Sequence, residues 1–305
     1  MSLDARSSLQ LGVVLFAIVV AMLINLDKAE QAVASDYDVP SIIERGKRIQ
    51  TFEAQNLYSA YQAVQEEYHE KAFISKDWRL LNSKNNVEIS MLEHPSDPAC
   101  PYIKMQATIN VSVQECWDWL RLEHWKVNMK KMDPFYEGHE IVVQKQFKGV
   151  SMTLARKRTK RIVTFGKRDF VFVSVSDLPR PDGTWVSGTV SIISDKLRRM
   201  PSYTRAFQDS IAFYKPLGKD RTKLTIVCRI DLNDNSEGGE GGSIPMWLYV
   251  KTIGATGLRS VNSLRSHLEK ERQEREARGE VLDRVAFPRG GFTLRRPWWQ
   301  KVMPN

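Results

Sequence analysis

The chain's 305 residues leave room for one large domain or two small ones, and 42% apolar with 27% charged residues excludes a disordered or fibrous protein. Its three cysteines, Cys100, Cys116 and Cys228, are odd in number, widely spaced and free of any CxxC pattern. They exclude a disulfide framework and a cysteine zinc site, and suit buried thiols in a cytosol-facing domain. A net charge of +9 points to anionic surfaces, with a merely solvated basic surface as the plain alternative.

Residues 11–26 are apolar except for Asn25. As a helix they rise about 24 Å, short of a bilayer core of roughly 30 Å. Residues 1–26 therefore read as an uncleaved anchor or a cleaved signal, with a small-x-small site at Ala32-Val33-Ala34 for the second case. The flanks carry few cations, so charge does not orient the segment. Residues 27–49 form a linker and the start of a helix, in which Ile49, Phe52, Leu57, Tyr61, Val64 and Tyr68 recur at helical spacing.

Three strands are expected next, two of them over 87–92 and 102–109. Ser112-Val113-Gln114-Glu115 is a capping box, so a helix starts there and carries Trp117, Trp119 and Leu120. Six more strands follow, over 140–147, 150–158, 170–176, 184–194, 203–213 and 222–232. An acidic glycine loop spans 233–242, and Pro245 suits the first turn of a long helix. On that helix Trp247, Val250, Gly254, Leu258, Val261, Leu264 and Leu268 share a face.

Arg168-Asp169-Phe170-Val171 follows Thr164-Phe165-Gly166-Lys167 and opens one of these strands. Upstream stand Asp77-Trp78-Arg79-Leu80-Leu81, Val87-Glu88-Ile89, and 112–120 leading into Trp125. Downstream stand Tyr203-Thr204-Arg205-Ala206, 224–231, and Ser243-Ile244-Pro245-Met246-Trp247-Leu248. In this order the segments resemble the START family of lipid-transfer domains over about residues 50–275. The resemblance implies an α+β helix-grip fold over 50–278, a curved antiparallel sheet around a long C-terminal helix enclosing an apolar cavity. It also implies that the loop before the Arg-Asp-Phe strand gates the cavity, with Ile162, Val163 and Phe165 among Lys160, Arg161 and Lys167. Apolar tips flanked by cations suit an anionic membrane surface. Two departures stand out. The family's Trp-Asp pair is Trp125-Lys126, and Ser174 occupies the place of an arginine found in cholesterol-carrying members. The buried ion pair that such an arginine joins is not expected in that form, which argues against a sterol held that way.

Nothing in the chain reads as catalytic. His139-Glu140 continues into Ile141-Val142-Val143 rather than HExxH, and no GxSxG or GxxxxGK stretch is present. His69, His94, His124, His139 and His267 lack ligand spacing. No enzyme activity, metal or cofactor is expected. Arg156-Lys157-Arg158 has the look of a nucleic-acid patch, but its strand and hairpin setting leaves nucleic acid outside the expected partners.

A lipid is the expected ligand, phospholipid or sterol, because its tail can supply the burial that side chains otherwise provide. Phe147, Met152, Phe172, Phe213, Trp247, Gly254 and Leu258 are the candidate lining, although a slip of one residue in a strand exchanges its faces. Gly254 and Gly257 leave either space for lipid or close packing of helix on sheet. Arg205 is a candidate cation for a phosphate or carboxylate, with a protein acid as the alternative partner. The basic tail 279–305, with Trp298-Trp299 among arginines, suits a membrane interface or a return onto the domain. The expected whole is a membrane-anchored lipid transfer or sensing protein whose main domain is cytosolic, at the endoplasmic reticulum, or in the secretory pathway if the N-terminus is cleaved. An enzyme of the related helix-grip superfamily, cyclase or hydrolase, and a membrane-tethered scaffold with a filled core are the other readings.

Overall fold

A computed structural model describes residues 52–95, 97, 100–161, 166–177, 179–193, 197–232 and 246–280, apart from the side chains of Glu123 and of 246–249. The N-terminal apolar segment, the loop residues Ile162, Val163 and Phe165, the acidic glycine loop, the Trp247 side chain and the tail from 281 lie outside that description. Among the described residues no helix is long and apolar enough to cross a membrane. The chain divides into two compact units, 1–269 and 270–305.

In the first unit, helix α1 (Ala54–Phe73) places Leu57, Ala60, Tyr61, Tyr68 and Ala72 on one buried stripe, the spacing its sequence dictates. Strands β1 (Arg79–Lys84) and β2 (Val87–Leu92) are joined by Asn85 and Asn86, at φ 55° and 58°. Asparagine tolerates this left-handed backbone, and the twist of such a turn matches that of the strands. After β3 (Tyr102–Ile109), Ser112 and Glu115 close the capping box and start α2 (Val113–Leu120). A short 3-10 turn (Leu122–His124) leads into α3 (Trp125–Met132). The strands β4 (Tyr136–Phe147), β5 (Val150–Thr159), β6 (Arg168–Ser176), β7 (Trp185–Ser191), β8 (Thr204–Pro216) and β9 (Thr222–Asp231) precede the long helix α4 (Met246–Ala277).

The nine strands form one sheet in the order β1-β2-β3-β9-β8-β7-β6-β5-β4, antiparallel except for a short parallel pairing of β6 with β8. The expected outline of helix, three strands, helical segment, six strands and long helix is the one observed. Strand alternation splits the sheet into two faces. The outer face lies under α1, where Leu57, Tyr61 and Tyr68 pack with Met152, Val171, Val173, Val175, Ile211, Phe213 and Val227. Gly188 is required here. A Cβ at this position would stand 2.4 Å from Ile211, 2.9 Å from the Ser210 carbonyl oxygen and 3.0 Å from Tyr61. The inner face lies under α2, α3 and α4, and its aliphatic part packs Ile89, Ile103, Ala107, Leu224 and Cys228 with Val261, Leu264 and Leu268.

Buried charges are paired, as burial demands. Asp169, on the outer face, is fully buried and takes two bonds from Arg205 at 3.1 and 2.8 Å, with Arg156 at 3.8 Å. Arg229 donates to the Cys100 carbonyl at 2.8 Å and to Asp97, fastening the loop before β3 onto β9. In the second unit the last turns of α4 are polar, with spaced pairs Lys270–Glu274 and Arg272–Glu276.

Candidate functional site

The inner face changes character halfway across the sheet. One row of directly paired residues runs Gln144, Thr153, Ser174, Thr189, Ser210, then Cys228, Ile103 and Met91. The neighbouring row runs Gln146, Ser151, Ser176, Ser187, Ala212, then Ile226, Met105 and Ile89. From β4 to β7 both rows are hydroxyl- and amide-bearing, the first extending to Ser210 on β8, and from Ala212 and Cys228 to β2 they are apolar. No charged residue stands in either row. Aromatic rings flank the polar stretch, with Trp185, Tyr214 and Trp117 on one side and Phe172 and Trp125 on the other.

This face is sheltered but not filled. Ser174, Ser176, Ser187, Ser210, Ile226 and Ile230 are only half-buried, although β6 to β9 lie well inside the sheet and three helices cover this side. Polar atoms here also lack partners. The Thr189 Oγ1 and the Trp117 Nε1 are buried with no hydrogen-bond partner among the described residues, and Thr189 is 9% exposed. An unpaired buried polar group costs about 1–3 kcal/mol, so such groups are kept where something else meets them. By contrast Ser187 is matched to the Tyr214 hydroxyl at 2.9 Å, and Ser191 is taken up by the Gln208 carbonyl at 3.0 Å. Burial pushes the Tyr214 phenol up, so it stays protonated. The Cys228 thiol, buried on the same face, is pushed up to about 12 and is no nucleophile.

Helix α4 is pinned at both flanks of this surface. Ser260 and Ser263 donate to the Met132 and Lys131 carbonyls at 3.1 and 2.8 Å, at the end of α3. On the other side Arg265 donates to the Asn85 carbonyl. N-terminal to these anchors the two glycines of α4 differ. A Cβ at Gly257 would meet the Met105 sulfur at 3.0 Å and Ile89 at 3.5 Å, so this glycine serves close packing. At Gly254 a Cβ would meet Leu81 Cβ at 3.9 Å, an ordinary van der Waals contact, so the position accepts a methyl.

The structure divides the candidate residues. Phe172, Gly254 and Leu258 belong to the inner side, Phe172 against Trp125 and Leu258 against the aliphatic core. Phe147, Met152 and Phe213 do not join them. Met152 and Phe213 lie in the outer core, Phe213 against His69 and Phe73, and Phe147 packs on Tyr58 of α1. The correction is one of strand parity, since apolar side chains on β5 and β8 serve the core under α1. Arg205 is likewise on the outer face, held by Asp169 and the Leu197 carbonyl, which is the protein-acid alternative for that guanidinium. Trp247, Ile162, Val163 and Phe165 fall outside the described side chains.

The hydroxyl rows were missed in the sequence. Their signal was present as hydroxyls at alternate positions, Ser151-x-Thr153, Ser174-x-Ser176 and Ser187-x-Thr189-x-Ser191. Among the described residues, no three His, Cys, Asp or Glu side chains are placed to hold a metal ion.

The family model of the START domain matches residues 59–274. No curated protein sequence matches the chain. Among solved structures, human StAR-related lipid transfer protein 5 matches with a TM-score of 0.62 at 19% identity, over 72% of this chain and all of its own. Human STARD10 matches at 0.57 and 14% identity, over 75% of this chain and 85% of its own. The lipid transfer and protein localization domain of human StarD13 matches at 0.51 and 18% identity, over 67% and 94%. At these identities the structural likeness carries the fold, and the family model carries membership: the chain belongs to the START domain family.

Proposed function

We propose that the inner face holds one lipid molecule and that the protein transfers or senses it without covalent chemistry. The observation that carries this is the amphipathic register of the face, hydroxyl-bearing at Ser174, Ser176, Ser187 and Ser210 and apolar at Ile226 and Met105, all six left half-buried beside a packed aliphatic end. A surface divided in this way matches a molecule with a head and a tail. Enclosing a few hundred Å² of apolar tail at about 25 cal/mol per Å² is worth several kcal/mol, enough for partial extraction from a bilayer. Two of the similar structures bear lipid transfer in their names, which supports the same reading.

The same proposal includes a membrane site of action. Residues 11–26 would anchor the chain, Lys160, Arg161 and Lys167 and the cations of the tail would face an anionic leaflet, and the lipid-binding domain would lie on the cytosolic side of the endoplasmic reticulum. Native mass spectrometry of the purified full chain, followed by lipid extraction, tests the binding. A bound lipid in stoichiometric amount is expected, and protein of bare mass after exposure to vesicles contradicts it. Orientation has its own test. Asn110-Val111-Ser112 is an acceptor sequence at an exposed site, although the Asn110 amide is bonded to Glu269 at 2.8 Å. No mobility shift on endoglycosidase treatment is expected; a shift places Asn110 in the lumen.

A further inference from the structure

We infer that Thr189, with Ser174 and Ser210 beside it, forms the subsite for the lipid's polar head, and that this head is uncharged and carries hydroxyl, ester or amide groups. The inference rests on the proposal that the inner face binds lipid. Thr189 lies at the centre of β7, directly across from Ser174 on β6 and Ser210 on β8. Its direction is fixed by its neighbour, because Gly188 faces Tyr61 and Ile211 on the outer side and successive residues alternate. The Thr189 side chain thus stands on the inner face, nine-tenths buried, with no hydrogen-bond partner for its hydroxyl oxygen among the described residues. A hydroxyl both donates and accepts one bond or more, so three side by side match a head that does the same.

The charge pattern decides between lipid classes. A phosphate brought to this stripe would lose its hydration and need a cation or a dense set of donors. Along β5 and β6 the first cations on this face are Lys157 and Arg168, beyond Ala155 and Phe172. Both are engaged, Lys157 with Asp133 at 3.2 Å and Arg168 with the Leu232 and Gly166 carbonyls at 2.9 Å each, and Arg121, over the Trp117 ring, is paired with Asp118 at 3.5 Å. Arg205, the cation the sequence offered, is on the opposite face with Asp169. An uncharged head avoids that cost, and its tail runs along the rows toward Ile226 and Met105.

The test is capture by the full chain from phosphatidylcholine vesicles doped separately with dioleoylglycerol, cholesterol or phosphatidylserine, compared between the natural protein and Thr189→Val. Dioleoylglycerol or cholesterol is expected to be captured in preference to either phospholipid, the two arms telling an ester-bearing head from a lone hydroxyl. Thr189→Val should weaken that capture about tenfold while its melting temperature stays level or rises, because an unpaired buried hydroxyl is removed. Thr189→Ser, which keeps the hydroxyl, should retain capture. Preferred capture of phosphatidylcholine or phosphatidylserine overturns the inference and leaves lipid binding standing. Undiminished dioleoylglycerol and cholesterol capture by Thr189→Val overturns the role of Thr189. Capture of none of these lipids overturns the lipid-binding reading itself.

Discussion

The two faces of the sheet are built from the same strands and obey different rules. On β6 the outward residues Val171, Val173 and Val175 are buried under α1, and the inward Ser174 and Ser176 are small, polar and half-buried. On β8 and β9 Ile211 and Val227 face outward and are fully buried, whereas Ser210 and Ile226 face inward and keep solvent contact. Asp169 on the outer face of β6 is paired with Arg205 and Arg156, and among the described residues buried polar atoms without hydrogen-bond partners occur on both sides, the Tyr68 hydroxyl under α1 and the Thr189 hydroxyl on the inner face. The outer face is therefore packed throughout, whereas the inner face is packed at its aliphatic end and released from close packing along the serines of β6 to β8. A protein that stores a cargo molecule in its interior needs both, because the released stretch contributes little to its own cohesion.

Breaking the outer face should cost most. Arg205→Met leaves the fully buried Asp169 without its two hydrogen bonds from Arg205 and with Arg156 at 3.8 Å, and a loss of about 3–5 kcal/mol is expected in chemical denaturation. Lipid capture by the surviving folded fraction should be unchanged across lipid classes, whereas selective loss of anionic lipids would return Arg205 to the ligand. Gly188→Ala follows, at about 1–3 kcal/mol, because the new methyl meets both Ile211 and the fixed Ser210 carbonyl. On the inner side Gly254→Ala should leave the denaturation midpoint almost unmoved, since its Cβ would stand 3.9 Å from Leu81, and Gly254→Trp should abolish lipid uptake, since the indole must reach past that contact. Normal uptake by that variant would place the lipid away from α4.

The smallest effect expected is with pH. Burial holds His139, at the α3 end of the inner face, and His69, against Phe213 on the outer face, below their ordinary value of 6.5. The unfolded chain then binds more protons than the folded one as the pH falls below about 6.5, so stability is full above that value and declines beneath it. Melting temperatures measured from neutral to about pH 5 should fall, and His139→Gln should remove part of the slope. A rise on acidification would contradict the burial of both rings.

Most of the fold was legible because its signals are local. The Ser112–Glu115 box, the helical spacing of Leu57, Tyr61 and Tyr68, and the alternation of Leu224, Ile226 and Cys228 each fix an element within a few residues. The ordered motifs around Arg168 then led to the family. The site was less legible because two faces compete for apolar residues. Met152 and Phe213 look like cavity lining in isolation, and only the seat of α1, a contact distant in sequence, assigns them outward. The Asp169 partner of Arg205 sits 36 residues away across a parallel pairing that no local pattern announces. Serines at alternate positions were in plain view, but they gain meaning only when register lines them up across four strands.

Photo-crosslinking tests the central claim most directly. A lipid bearing a diazirine in its tail would be loaded onto the full chain, activated, and its adducts mapped by peptide mass spectrometry. Adducts are predicted at Met105, Ile226 and Leu258, on the inner face and the helix above it. Adducts concentrated instead at Met152 and Phe213, in the core under α1, would contradict the account.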